Sequence, residues 1–310
     1  MIKIKNLTKR YGELKAVDDV TFDVHTGDVL GFLGPNGAGK TTTVRIITCF
    51  LLPTSGWVEV DGLNVFEHSL EIRKKIGYLP ENAPLYSEMN VLDYLHFIMG
   101  IRGIAKDRWS LRTKEIIDVC GLGPVTHRNI GELSKGFRQR VGLAQAMVHD
   151  PEVLILDEPT SGLDPNQIVE IRSLIKELGK EKTVILCTHI LPEVEATCGR
   201  VLIINEGKIV ADGSPAELQS SFQGKEKIYI ELKAPSEDVE AKLANLENVE
   251  KVEEIASNGN GLKKFTVECA TGVDLREKLF RLAVENNWVL LEMRKEQASL
   301  EDVFRQLTTS

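Results

Sequence analysis

Gly34, Pro35, Asn36, Gly37, Ala38 and Gly39 lead directly into Lys40, Thr41 and Thr42, which spells G-x-x-x-x-G-K-T. Glycines at both ends let backbone N–H groups curl around phosphate oxygens, and a helix starting there adds the positive end of its dipole. Lys40 is then placed to reach the β- and γ-phosphates, and the Thr41 hydroxyl to ligate Mg²⁺. Much later in the chain, Asp157 and Glu158 close an apolar run beginning at Val153. Asp157 would hold Mg²⁺ through water, and Glu158 would polarise an attacking water as general base. Taken together these residues specify attack by water on a terminal phosphate.

Such groups need a scaffold that brings distant segments to one place. Val29–Leu33, Val153–Leu156, Val184–Cys187 and Val201–Ile204 are near-continuous apolar runs, the mark of strands buried on both faces. Alternating with helix-like stretches, they predict an α/β domain with a parallel sheet, whose strand carboxyl ends gather the phosphate loop and the two acids. Ile2, Ile4, Val20, Phe22, Val24, Val58 and Val60 alternate around glycines and predict a smaller antiparallel part at the front. From Glu81 to Asp150 helical spacing dominates, as in Leu111, Ile116, Val119 and Cys120, so a mostly helical insert is expected there.

The polar stretch 219–227 reads as a linker, giving one domain over 1–219 and a second over 226–310. In the second, Ile228, Ile230 and Leu232 alternate as a strand, Val239, Leu243 and Leu246 share a helical face, and Val249–Ile255 is ambiguous, its apolar residues recurring every third position. Phe265, Val267 and Cys269 alternate again, Leu275, Leu279, Leu282 and Ala283 make another helix face, and Trp288–Met293 reads as a strand. The order βαββαβ is that of a small ferredoxin-like α+β domain. A last helix starts at Ser299, with Asp302 as its capping partner and Leu300, Val303, Phe304 and Leu307 on one stripe.

Composition narrows the function classes. Of 310 residues, 42% are hydrophobic and 27% charged, an ordinary globular balance. Formal net charge is -8, spread as 25 basic against 29 acidic residues up to Ser221 and 13 against 17 after it, so neither part is a basic module for nucleic acid. No apolar run reaches the length of about eighteen residues that a membrane span needs. The amino terminus lacks the pattern of a signal peptide, which predicts a cytoplasmic location. The five cysteines are scattered without a C-x-x-C pair and read as reduced thiols.

The motif set resembles the nucleotide-binding subunits of ATP-binding-cassette transporters over roughly residues 2–217. Leu133, Ser134, Lys135, Gly136 and Phe137 look like the family signature, with Ser134 as a helix N-cap and Gly136 permitting close backbone approach. The resemblance implies that this helix start meets the γ-phosphate held by the other subunit of a dimer. It also implies that the Tyr11 ring lies against adenine, and that Ser161 to Asp164 form the loop through which subunits read each other's sites. His189 is the histidine the family aims at the γ-phosphate. Glu81 stands where the family carries a glutamine that touches Mg²⁺ and relays nucleotide state to the membrane partner; its oxygen can still ligate a hard cation. Lys135 and Phe137 stand where Gly and Gln are commonest, and Lys135 places a cation beside the phosphates.

The short second domain, ending near Phe304, is similar to that of the multidrug and polymer exporters, including the gliding-motility-associated branch. The expectation is an ATPase subunit of an ABC-2-type exporter, peripheral on the cytoplasmic face of the cell membrane. It binds ATP and Mg²⁺, pairs with a second copy of itself and drives a separate integral membrane permease. A soluble cassette ATPase acting on DNA or ribosomes is opposed by the charge and by the absence of a coiled-coil insertion or second cassette. An ATP-dependent regulatory or mechanical partner of a membrane complex would carry the same site.

Overall fold

The computed structural model describes residues 1–221, 226–234, 238–258, 261–270, 273–296 and 299–309. The chain divides into two units, Met1–Pro215 together with the chain end from Gln306, and Ala216–Arg305.

In the first unit, β1 (Ile2–Tyr11) and β2 (Leu14–Val24) alternate buried and exposed side chains, as strands with one wet face do. The apolar β3 (Val29–Leu33) leads through the glycine-rich loop into α1 (Lys40–Ile47). β4 (Ser55–Val60) and β5 (Leu63–Asn64) join the first two strands in an antiparallel sheet of order β2-β1-β4-β5. Next come α2 (Ser69–Lys75) and β6 (Ile76–Leu79), then an insert built on α3 (Val91–Ile101), α4 (Trp109–Cys120) and α5 (Lys135–Met147). α4 buries Thr113, Ile116 and Cys120, whereas Leu111 and Val119 are exposed. The apolar pattern therefore marks this helix correctly but places on its buried face two residues that turn outward.

β7 (Val153–Asp157), α6 (Pro165–Leu178), β8 (Thr183–Thr188), α7 (Leu191–Thr197), β9 (Arg200–Asn205) and β10 (Lys208–Gly213) complete the second sheet, of order β10-β9-β3-β8-β7-β6. β9, β3, β8, β7 and β6 run parallel, as their apolar runs predict, and every residue of β7 and β8 is buried. Removing each such aliphatic side chain from water contributes about 1.5–3 kcal/mol. The register decides which chain segments leave the sheet together. Leu33 pairs with Thr188, Asp157 with Cys187, and Leu79 with Leu156, so β3, β8, β7 and β6 end side by side.

The division between units departs from the boundary expected at 219, because α8 (Pro215–Ser221) continues through Gln219, Ser220 and Ser221; residues 222–225 of the expected linker lie outside the described residues. The second unit holds β11 (Glu226–Lys233), α9 (Val239–Ala244), β12 (Val249–Asn258), β13 (Leu262–Cys269), α10 (Arg276–Glu285) and β14 (Val289–Glu296) in an antiparallel sheet of order β12-β13-β11-β14. Its core gathers Ile228, Ile230, Leu232, Phe265, Val267 and Leu279. β12 resolves the ambiguous spacing of every third residue as a strand. It shifts register between Val249 and Lys251, so Val249 and Val252, three positions apart, pair with Cys269 and Val267 on one face. α11 (Leu300–Thr308) begins with Ser299 N donating to Asp302 Oδ2 at 3.0 Å and Asp302 N donating back to Ser299 Oγ at 3.1 Å.

Candidate functional site

A cleft of about 460 Å³ opens at the carboxyl ends of the parallel strands. Its walls come from the loop after β3 (Asn36, Gly37, Gly39), the start of α1 (Lys40, Thr41, Thr42), and the chain following β6, β7 and β8, which brings Glu81, Glu158, Ser161 and His189. The loop turns through positive φ at Gly37 (83°) and Gly39 (110°). A Cβ on Gly39 would also overlap the Ala16 carbonyl oxygen, so the sequence requires glycine there. Gly39 is the N-cap of α1 and supplies no side-chain cap, which leaves the first amides of the helix to an incoming anion.

Gly34, Pro35 and Ala38 belong to the same loop without lining the cleft, and a Cβ on Gly34 would overlap the Ile204 carbonyl oxygen. Lys40 Nζ donates to Gly34 O at 2.7 Å and to Pro35 O at 3.2 Å, and lies 3.6 Å from Glu158 Oε1. Lys40 and Glu158 are 6% and 7% exposed, so two largely buried opposite charges face each other in the wall of the cleft. Glu158 N donates to Cys187 O at 2.8 Å, one last bond to β8 before the chain turns at φ 49°. That turn aims the carboxylate at His189, whose Nδ1 lies 3.0 and 2.9 Å from the two Glu158 oxygens. Residues 31 apart in sequence thus meet because β7 and β8 are neighbours.

Asp157 is 1% exposed, and neither carboxylate oxygen has a hydrogen-bond partner. Burial raises its pKa above the usual carboxylate range; the Thr41 hydroxyl pulls it down, and the charges of Glu158 and Glu81 push it further up. An acid with two idle oxygens, buried beside a threonine hydroxyl and two further carboxylates, is a place where a small hard cation would be stabilised. Among the described residues, no three His, Cys, Asp or Glu side chains gather as a metal cluster in their own right.

Other expected site residues lie outside this cleft. Tyr11 ends β1, is 48% exposed, and has Lys9 Nζ 5.3 Å above its ring. Ser134 caps α5, its Oγ accepting from Phe137 N at 3.3 Å, so the hydroxyl expected to be free already accepts one bond and retains its proton to donate. Asp164 caps α6, its Oδ1 accepting from Gln167 N at 3.0 Å. Gly136 packs on the Gln167 side chain, and the Lys135 ammonium occupies the space that a Cβ on Gly162 would take. The two helix starts, α5 and α6, are therefore one contiguous surface of this unit. Ser161, which the resemblance places only in the loop running to Asp164, also lines the cleft of its own chain.

Comparison with known proteins gives one consistent answer. The sequence model of the family described as "ABC transporter" matches residues 17–161. The bacitracin transport ATP-binding protein BcrA of Bacillus licheniformis is 36% identical over 309 residues, spanning 99% of this chain and 97% of that one. The ABC transporter ATP-binding protein NatA of Bacillus subtilis is 34% identical and covers 74% of this chain and 96% of its own. Among solved structures, the ATP-binding cassette MJ0796, a dimer in a post-hydrolysis state bound to ADP and Pi, superposes with a TM-score of 0.64 at 26% identity, over 69% of this chain and 98% of that one. On this sequence likeness and this cleft, the chain belongs to the ABC transporter family, as an ATP-binding subunit that hydrolyses ATP.

Proposed function

We propose that this protein is the ATPase subunit of an ABC-2-type exporter and works on the cytoplasmic face of the cell membrane, paired head to tail with a second copy of itself. The observation that carries the reading is the match to BcrA, which runs through the second unit and not the cassette alone. No described helix is long and apolar enough to cross a membrane, so the path for a solute would belong to a separate integral membrane permease.

In this reading the loop amides, Lys40 and Thr42 hold the ATP phosphates, and Tyr11 stacks on adenine, an aromatic contact worth roughly 0.5–1.5 kcal/mol beyond burial. Thr41, Asp157 and Glu81 would hold Mg²⁺, and the idle Asp157 oxygens fit that role. When bound, the cation neutralises charge on the β- and γ-phosphates. Glu158 takes a proton from the attacking water, while His189, in contact with both Glu158 oxygens, orients that carboxylate and faces the γ-phosphate. Ser134, Lys135, Gly136 and Asp164 present the surface of α5 and α6 to the ATP held by the second copy. Closure on ATP and reopening after hydrolysis pass through the Glu81 segment and the helical insert to the permease.

The test is affinity capture from native membranes with Glu158→Gln, ATP and Mg²⁺, which holds the closed pair. Stoichiometric recovery of a polytopic membrane protein is expected. Recovery of soluble partners alone, with the bait missing from the membrane fraction, would overturn the exporter reading.

A further inference from the structure

Glu193, the third residue of α7, is 1% exposed and does not line the cleft. One of its oxygens accepts from the Thr160 hydroxyl, and the other accepts from the Thr188 hydroxyl at 2.9 Å. Both threonines are buried, at 2% and 0% exposure. Thr160 lies two residues after Glu158, and Thr188 immediately precedes His189. The Thr188 Oγ1 also accepts from Ile190 N at 3.0 Å, so it is held from both sides of His189. Beyond Thr160, Ser161 N donates to Glu158 O and Leu163 N donates to Thr160 O, both at 3.1 Å, which tightens the turn that carries Glu158. α7 itself is seated closely on β3, because a Cβ on Gly31 would come within 2.6 Å of Val194 Cγ1.

These bonds close a ring: Glu158 to Thr160 along the chain, Thr160 to Glu193 to Thr188 by side chains, Thr188 to His189 along the chain, and His189 back to Glu158. Burying a carboxyl is costly, and an apolar side chain of similar size is often as stable or more so, which means that stability alone does not call for an acid here. What an acid offers is two acceptors on a rigid fork, one for each of two strand ends. We infer that Glu193 is a positioning residue for ATP hydrolysis, fixing the chain after β7 and the chain after β8 so that Glu158 and His189 stay in contact at the cleft. The inference rests on the roles proposed above for that pair.

Five proteins test it: the parent, Glu193→Leu, Glu193→Gln, Glu158→Gln and the double variant Glu158→Gln with Glu193→Leu, each assayed for kcat, KM for ATP and melting temperature. Displacing reacting groups by about an ångström costs on the order of 10²-fold, so Glu193→Leu should lose about 10- to 100-fold in kcat with KM within about twofold. Glu193→Gln, which keeps one acceptor and gains a donor that Thr188 can accept, should recover kcat to within about threefold of the parent. In a Glu158→Gln background, Glu193→Leu should cost less than about threefold, because the group it positions is already gone. Parent-like kcat for Glu193→Leu would overturn the inference, as would an equal loss in the Glu158→Gln background or a loss confined to KM. Parent-like turnover by Glu158→Gln would instead remove the reading on which the inference rests. If Glu193→Leu does not fold, Thr188→Val and Thr188→Ser decide: a kcat loss for valine with retention for serine supports the inference, and parent-like kcat for valine overturns it.

Discussion

At the carboxyl ends of β3, β7 and β8 the protein buries a lysine and two acids, and leaves both oxygens of one acid without a partner. The sheet of the second unit is built the other way. Its buried positions are Ile228, Ile230, Leu232, Phe265 and Val267, and charged groups such as Glu231 with Lys264 and Asp274 with Arg276 are paired outside the core. The second arrangement is what folding by itself favours, since apolar burial stabilises and unpaired buried polar atoms cost. In the first, Lys40 and Glu158 find partners within the protein, whereas the two Asp157 oxygens are satisfied only when something else arrives. The contrast separates a region selected for a ligand from a region selected for its own packing.

Three changes would break or sharpen that contrast. The largest effect belongs to the cleft. Glu158→Gln should retain ATP binding yet lose about 10²–10⁴-fold in turnover, the usual share of a positioned base; steady-state hydrolysis with a binding titration checks it, and parent-like turnover would remove Glu158 from the chemistry. In the second unit, Phe265→Ala should cost about 3–5 kcal/mol through the cavity it leaves, read as early unfolding of that unit, with ATP affinity of the cleft unchanged. A fall in affinity would mean the two regions are not independent in the way their cores suggest.

The smallest effect is a paired charge with no ligand to serve. Lys75 Nζ donates to Asp61 Oδ2 at 2.7 Å, and this bond holds the Asp61 carboxyl below the usual carboxylate range. A lowered native pKa contributes stability that is present above the unfolded value and is lost as pH falls through the native one. Asp61→Asn should therefore cost at most about 1 kcal/mol near pH 7, and the difference from the parent should vanish in strong acid. Urea titrations at two pH values check it. A difference that grows on acidification would reverse the sign and refute the pairing.

How much of the molecule was legible in the sequence differs between the two regions for the same reason. Phosphate chemistry fixes residue types and spacing, so the loop from Gly34 to Thr42 and the acids Asp157 and Glu158 could be read directly. The meeting of Glu158 with His189 depends on β7 and β8 being neighbours, which no local pattern carries. Glu193 was hidden for a related reason. Glu193 and Glu195 stand two apart on a short helix, and only the seating of α7 on β3 decides which turns inward. In the second unit the sequence carried elements without chemistry, because one aliphatic residue packs nearly as well as another. Even there, register shifts in β12 disguised a strand; in the first unit, the orientation of α4 left Leu111 and Val119 exposed.

The central claim is that the cleft is half of a working site and that α5 and α6 of a second copy complete it around ATP. Sedimentation of Glu158→Gln with and without ATP and Mg²⁺ tests this most directly. The account predicts a monomer without nucleotide and a dimer when the cleft is saturated with ATP. A protein that stays monomeric at saturating ATP would contradict it.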